Sequence, residues 1–323
     1  MNIKKFKIIN EDKKYININL LNNFFYLKKI IDNKTYSKLN NNKDIIDNNK
    51  KWDIYKKYIN SYELIYNPSK FKNESLSLYN PISRSYFKMI EIIKEFDIIN
   101  KEESICVACL AESPGGFLEA IINKTKEIGF KYYNFYSISL KSDSYKIPSW
   151  NKAYSFLKEN NVNISYGIDG TGNLYNIDNI ISFINLVNIG TCDLVTADGG
   201  FDFSGDYLHQ EENSRKLIFF EILTALFLQK KKGNFTIKFF DTFTLSSIKI
   251  LYFVSCFYNE FYIYKPFSSR PNNSERYIIL KDFIGIDYNY LYNILESLRD
   301  IDNINDIFDD IPEDFENKLK KIN

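Results

Sequence analysis

Glycine is scarce in this chain. There are 12 in 323 residues, none before Gly115 or after Gly285. Most fall in tight clusters, at Gly115-Gly116, at Gly167, Gly170 and Gly172, and at Gly199-Gly200. Glycine is kept where the backbone takes a positive φ or where something approaches it closely, so these clusters mark the working part of the molecule. Cysteine is also sparse, at four residues. Cys106 and Cys109 form a C-x-x-C inside the apolar run SICVACL, and no second pair stands at zinc-ligand spacing. That excludes a zinc ribbon and predicts buried thiols in a reducing, intracellular setting. No G-x-G-x-x-G is present and no glycine loop ends in Lys-Ser/Thr, so the dinucleotide fingerprint and the P-loop both fail. The opening MNIKKFKIINEDKK has no apolar core of a secretory leader. The longest apolar stretch, LIFFEILTALFLQ, is too short and too interrupted to span a bilayer, so no membrane partner is expected.

Arginine is rare too. Of 42 basic residues only Arg84, Arg215, Arg270, Arg276 and Arg299 are arginine, and the rest are lysine. Arginine offers a rigid fork for carboxylate or phosphate that lysine lacks. What the chain has in quantity is Lys, Asn, Ile, Tyr and Phe, the bias of an AT-rich coding genome. Net charge is +1, but it is unevenly spread. Residues 1–75 carry 16 Lys against 8 acids, and residues 286–323 carry 10 acids against 4 basic residues. The expected organisation is a basic extension over 1–75, one large domain over 76–285, and an acidic helical tail over 286–323. The basic front hints at a nucleic-acid or anionic surface, although a solvated lysine-rich extension gives the same composition.

From Pro81 the texture becomes an alternation of helix and strand signals. SRSYFKMIEIIKEF (83–96) is amphipathic, with Ser83 as the expected N-cap. Strands are predicted at 104–110, 134–140, 163–169, 192–200, 233–241, 261–266 and 275–283. Helices are predicted at 117–129, 173–188, 211–233 and 244–257. The 211–233 helix is expected to end on its three lysines at Gly233. Such alternation predicts an α/β fold with a mostly parallel sheet and helices on both faces. Ligands then bind beyond the carboxyl ends of the strands. Glu112 to Gly116, Asp169-Gly170, Asp198-Gly199-Gly200 and Lys238 all fall there.

Four segments, ESPGGF, TADGGF, TIKFFDTF and KPFSSRPNNSERYIIL, follow one another on successive elements. Together they resemble the FtsJ-like family of S-adenosylmethionine-dependent RNA ribose 2′-O-methyltransferases, over residues 76–285. Within it the chain is most similar to the mRNA cap 2′-O-methyltransferases of cells and of large DNA viruses, which raises the expectation of a viral origin. The resemblance implies a Rossmann-like methyltransferase fold with an antiparallel last strand, S-adenosylmethionine as cofactor, and no metal. It implies a catalytic Lys-Asp-Lys-Glu set at Lys88, Asp198, Lys238 and Glu275. It places the cofactor against Glu112, Ser113, Pro114, Gly115, Gly116 and Phe117, with Leu140, Lys141, Asp169 and Asp198 around the adenosine. Where the family often closes the first strand on an acid this chain has Cys109, so Glu112 is expected to take the methionine amine. Asn173 likewise replaces an acid. RNA contacts are implied at Ser83, Arg84, Ser268, Ser269, Arg270, Asn273 and Ser274.

The chemistry fits these residue types. A ribose hydroxyl must lose its proton as it attacks a methyl group. A lysine inside the buried run TIKFF is a base if burial and a second cation, Lys88, lower its pKa. Asp198 and Glu275 then orient the two ammonium groups. The expected activity is 2′-O-methylation of capped mRNA at the first transcribed nucleotide. The expected partner is the capped 5′ end, with association with other capping or transcription proteins also in view. Methylation of ribosomal or other uncapped RNA, and a silent RNA-binding subunit of the same fold, remain open on the sequence. The only histidine, His209, reads as a surface residue.

Overall fold

A computed structural model describes residues 6–7, 33–49, 51–52, 55, 61–66, 75–100, 102–142, 144, 147–201, 203, 206–299 and 311–320. Most of the 1–75 extension expected from composition lies outside these residues. Its described parts include strand β1 (Phe6–Lys7), helix α1 (Asn33–Asp47) and a 3-10 turn over Ser61–Ile65.

Helix α2 (Ser85–Phe96) forms because Met89, Ile92, Ile93 and Phe96 recur at helical spacing, and all four are buried. It stops at Asp97, whose backbone is left-handed. Ser83 is not its cap as the sequence suggested. Arg84 holds that position with helical angles, and the Ser83 hydroxyl pairs with that of Ser85.

Strand β2 (Ser104–Leu110) is apolar almost throughout because both of its faces are covered. Then follow α3 (Gly116–Ile128), β3 (Tyr132–Ile138), α4 (Tyr154–Glu159), β4 (Asn163–Ser165), α5 (Ile177–Val187), β5 (Cys192–Ala197), α6 (Gln210–Leu228) and β6 (Gln229–Phe239). The series closes with α7 (Leu245–Ser255), β7 (Tyr258–Tyr264), β8 (Arg276–Phe283), α8 (Tyr288–Ser297) and α9 (Glu313–Lys320).

The strands form one sheet in the order β1-β7-β8-β6-β5-β2-β3-β4. Strands β4, β3, β2, β5 and β6 run parallel, whereas β8 is antiparallel to β6 and to β7. The chain winds outward from β2 through β3 to β4, then returns and winds the other way from β5. The switch therefore lies between β2 and β5, and a crevice opens beyond their carboxyl ends. The loops starting at Ala111 and Asp198 flank it, and Asp198 N–H reaches the Leu110 carbonyl at 3.4 Å.

Two apolar layers cover the sheet. One includes Met89, Phe117, Ile121, Phe135 and Trp150, and the other includes Ile180, Phe219, Phe235, Leu251 and Phe253. Fully burying such a side chain contributes roughly 1.5–3 kcal/mol. Two described helices of the acidic tail belong to the second layer. Leu291, Leu295, Phe315 and Leu319 are buried in it, so α8 and α9 pack as parts of the same core.

Several predicted boundaries move by a few residues, and the end of α6 moves furthest. Helix α6 ends at Leu228, and Gln229 begins the strand directly with an extended backbone. The three lysines expected to close the helix are strand residues. Gln229 is fully buried and donates to the Cys192 carbonyl at 2.9 Å, and Lys230 pairs with Asp193 at 2.7 Å. These cross-strand bonds outweigh a helix-dipole contact at a solvated end. Among the described residues no helix is long and apolar enough to cross a membrane.

Candidate active site

Four side chains meet at the strand ends. Lys88, on the first helical turns of α2, pairs with Glu275 just before β8, with Nζ to Oε1 at 2.6 Å. Lys238, near the end of β6, lies 3.3 Å from Asp198 Oδ1 and donates to the Asp198 carbonyl at 2.8 Å. All four side chains are 13–15% exposed, so they are desolvated but reachable. Tyr277 ties the pairs together. Its hydroxyl donates to Asp198 Oδ1 at 2.9 Å, and its ring lies 5.9 Å from Lys88 Nζ. The geometry thus brings the whole predicted set of Lys88, Asp198, Lys238 and Glu275 into one cluster.

The electrostatics differ from the expectation in one respect. Burial is the largest single influence on Lys238 and lowers its pKa, but Asp198, Glu275 and Glu221 together outweigh it, and the net shift is upward. Lys238 is therefore held protonated, and the reading that burial and Lys88 depress it is corrected. The lowered lysine is Lys265, brought to about 7 by burial and by Lys88 and Arg276, against Glu275 and Asp241. Lys265 donates to the carbonyls of Asn273 at 2.8 Å and Glu275 at 2.6 Å, so it fixes the loop that carries Glu275. Burial pushes Glu275 up, yet Lys88, Lys238 and Lys265 bring it down to about 2.

The cofactor loop is built by close packing. Gly115 caps α3 at φ 107°, a conformation that favours glycine, and a side chain there would press on Trp150. At Gly116 a Cβ would lie 2.2 Å from the hydroxyls of Ser83 and Ser85, so this glycine admits the start of α2. Ser113 bonds the Pro148 carbonyl and the Ser139 hydroxyl. It follows Glu112, and Pro114 completes the turn through a cis bond. Phe117 departs from its expected role. It is 1% exposed, 5.4 Å from the Tyr277 ring, and belongs to the core.

Glu112 is 4% exposed, and neither of its oxygens has a hydrogen-bond partner of sound geometry among the described residues. Burial first, then Asp198, raises it to about 8. Glu221 on α6 is fully buried in the same state, with its pKa pushed well up by burial. Its carboxylate sits under Gly199, where an added Cβ would lie 2.1 Å from Oε1. Two buried acids without partners at the crevice suit a cationic ligand.

On the far side the loops after β3 and β4 are tied by Lys141 N–H to the Thr171 carbonyl at 2.7 Å. Leu140 is 40% exposed and Ile168 is 73% exposed, giving apolar walls. Asp169 accepts from Thr171 N–H and Oγ1 and from Asn176, so its carboxylate shapes its own loop, and these bonds hold its pKa down.

The residues read as RNA contacts surround Glu275, but most face other protein groups. Ser269 is buried and donates to Glu275 Oε1 at 2.9 Å, which makes it a support for the carboxylate. Asn273 accepts from Lys265, Ser274 reaches Gln210, and Ser268 donates to Glu91 at 2.7 Å. Arg84 and Arg270 both bind Glu63. Sequence reasoning missed Lys265, Tyr277, Glu221 and Glu63. An acid inside the apolar run FFEIL was a visible signal for Glu221, whereas nothing in the sequence singled out Glu63.

The FtsJ-like methyltransferase model matches residues 81–283, which hold Lys88, Asp198, Lys238 and Glu275. The chain belongs to that family. S-adenosylmethionine is accordingly the cofactor of this FtsJ-like domain. A "Cap-specific mRNA (nucleoside-2'-O-)-methyltransferase 1" of Dictyostelium discoideum is 33% identical over 234 residues, covering 63% of this chain and 30% of that protein. The protein of the same name from Leishmania braziliensis is 35% identical over 176 residues, covering 53% and 42%. The human one is 33% identical over 211 residues, covering 62% and 25%. The chain thus spans a quarter to under half of the length of these cellular relatives.

Proposed function

We propose that this chain methylates the ribose 2′-OH of the first transcribed nucleotide of capped mRNA. The observation that carries the reading is the pair of linked ion pairs, Lys88–Glu275 and Lys238–Asp198, at the mouth of the switch-point crevice. The names of the relatives supply the substrate class.

Glu112 and the Ser113–Gly116 turn would hold the cofactor's amino-acid end, with Leu140 and Ile168 against its base. When bound, the cofactor supplies a methyl group on a positively charged sulfonium, a charge that itself lowers the pKa of an ammonium beside it. Lys238 takes the proton of the 2′-OH once it has released its own. Until then three carboxylates hold that proton, so rate rises with pH. Asp198 and Tyr277 fix the direction of Nζ, and Lys88 and Glu275 seat the ribose. Orienting the hydroxyl toward the methyl supplies much of the remaining acceleration.

The direct test is transfer of tritiated methyl groups to matched RNAs with and without an m7G cap, followed by nuclease mapping. Cap-dependent label on the 2′-O of the first nucleotide supports the reading. Equal label on uncapped RNA replaces it with general RNA 2′-O-methylation, and binding without label leaves a silent RNA-binding subunit.

A further inference from the structure

Glu63 occupies an unusual place. Its Oε2 lies 2.8 Å from Arg84 NH1, and Arg270 grips it with two bonds, NH2 to Oε1 at 2.7 Å and Nε to Oε2 at 3.1 Å. A planar two-point fork is how arginine holds a carboxylate or a phosphate. The second guanidinium makes this a seat for one anion between two cations. The seat adjoins the catalytic cluster. Arg84 precedes Lys88 by one helical turn, Arg270 lies on the loop that ends at Glu275, and both arginines feel the Glu275 charge.

The segment that brings Glu63 is also tied by its backbone, with Leu76 N–H donating to the Leu64 carbonyl at 2.8 Å and Ser77 N–H to the Ile65 carbonyl at 3.1 Å. It is a single 3-10 turn over Ser61–Ile65. Tyr62 lies against Phe267 at 5.6 Å, but the two rings are 41% and 46% exposed, and Leu64 is 49% exposed. Arg84 also donates to the Tyr62 carbonyl at 3.3 Å. The two arginines therefore hold the Glu63 side chain, while apolar burial adds little to the backbone bonds of the turn. A phosphodiester carries the same single charge as the glutamate and the same pair of in-plane acceptor oxygens, so the exchange conserves charge.

We propose that Arg84 and Arg270 form the seat of an RNA backbone phosphate beside the reacting ribose, and that Glu63 closes this seat in the free protein and is displaced by the strand. The inference rests on the reading that RNA is the substrate and adds how its entry is controlled. Ser61–Ile65 is then a gate, and the exposed Tyr62 and Phe267 rings part when it opens.

The test measures binding of a short fluorescein-labelled, capped oligoribonucleotide by anisotropy across a salt series. For Glu63→Gln the expected result is binding about fivefold tighter, because an internal competitor is lost. The salt slope should also steepen by about one, because both arginines then shed small anions when the phosphate arrives. Unchanged or weaker RNA binding would overturn the gate and make Glu63 a fixed clamp for the arginines. Hydrogen exchange of the wild-type protein covers the case of a misfolded variant. Amides 62–65 should exchange faster with saturating RNA, and slower or unchanged exchange would overturn the proposal. Neither measurement reads methyl transfer. Tighter binding without methylation would remove the proposed function alone, and cap-dependent methylation with weaker Glu63→Gln binding would remove the gate alone.

Discussion

Glu275 and Glu112 are both desolvated glutamates of one site, and their surroundings push their pKa values in opposite directions. Burial raises both. Glu275 is nevertheless brought to about 2, because Lys88, Lys238 and Lys265 face it. Glu112 rises to about 8, because burial and Asp198 act against only Lys238 and weak donors. Partners, more than depth, decide the charge of a buried acid. The difference divides the crevice. The end at Glu275 carries a surplus of cations, which suits a phosphate-bearing strand. The end at Glu112 and Glu221 carries two buried acids with no hydrogen-bond partner of sound geometry among the described residues, which suits a cationic cofactor.

The largest expected effect comes from removing the lysine between the two ends. Lys238→Met should lower methyl transfer by about 10²–10⁴, the span of a lost general base. Cofactor affinity by calorimetry should stay within about threefold, since Glu112, the acid proposed to hold the cofactor's amino-acid end, is untouched. Loss of both together would mean a structural lysine. Next, Lys88→Met strips Glu275 of its closest cation. Leaving one member of a buried pair costs roughly 3–5 kcal/mol, read as a lower denaturant midpoint. Adding Glu275→Gln should return most of that stability, and no recovery would show that the pair is not the cause.

At the acid end, Gly199→Ala drives a methyl into the Glu221 carboxylate and should cost about 1–3 kcal/mol. Adding Glu221→Ala should relieve it. The acid end also predicts a pH dependence. A raised Glu112 is stabilising below its unfolded pKa, and that stability fades as pH climbs from about 4.5 to about 8. Glu112→Gln should match the wild type near pH 4.5 and be the more stable protein at pH 8 in thermal melts. Parallel curves over that window would place the raised acid elsewhere.

The sequence revealed the elements whose patterns are local. β2 is SICVACL to the residue, because a strand covered on both faces is apolar throughout. The clustering of Lys88, Asp198, Lys238 and Glu275 was legible because their motifs stand in order on successive elements, and the fold brings strand ends together whatever lies between. What was not legible depends on distant partners. The α6 boundary is settled by Gln229 and Lys230 bonding across to β5, which no helical periodicity reports. The protonation of Lys238 turns on Asp198 and Glu275 first and then on Glu221, acids brought from other elements. Arg84 and Arg270 were read as phosphate contacts, but the carboxylate that holds them comes from a segment about twenty residues before one and two hundred before the other.

The decisive measurement is the pH dependence of single-turnover methyl transfer to capped RNA, in the wild type and in Glu275→Gln. In the wild type the rate should climb with pH through the alkaline range, because carboxylates hold the Lys238 proton. Glu275→Gln removes one of them, so its slower transfer should reach its plateau at lower pH. An alkaline limb that stays in place in the variant, or that persists in Lys238→Met, would contradict the assignment of Lys238 as the base.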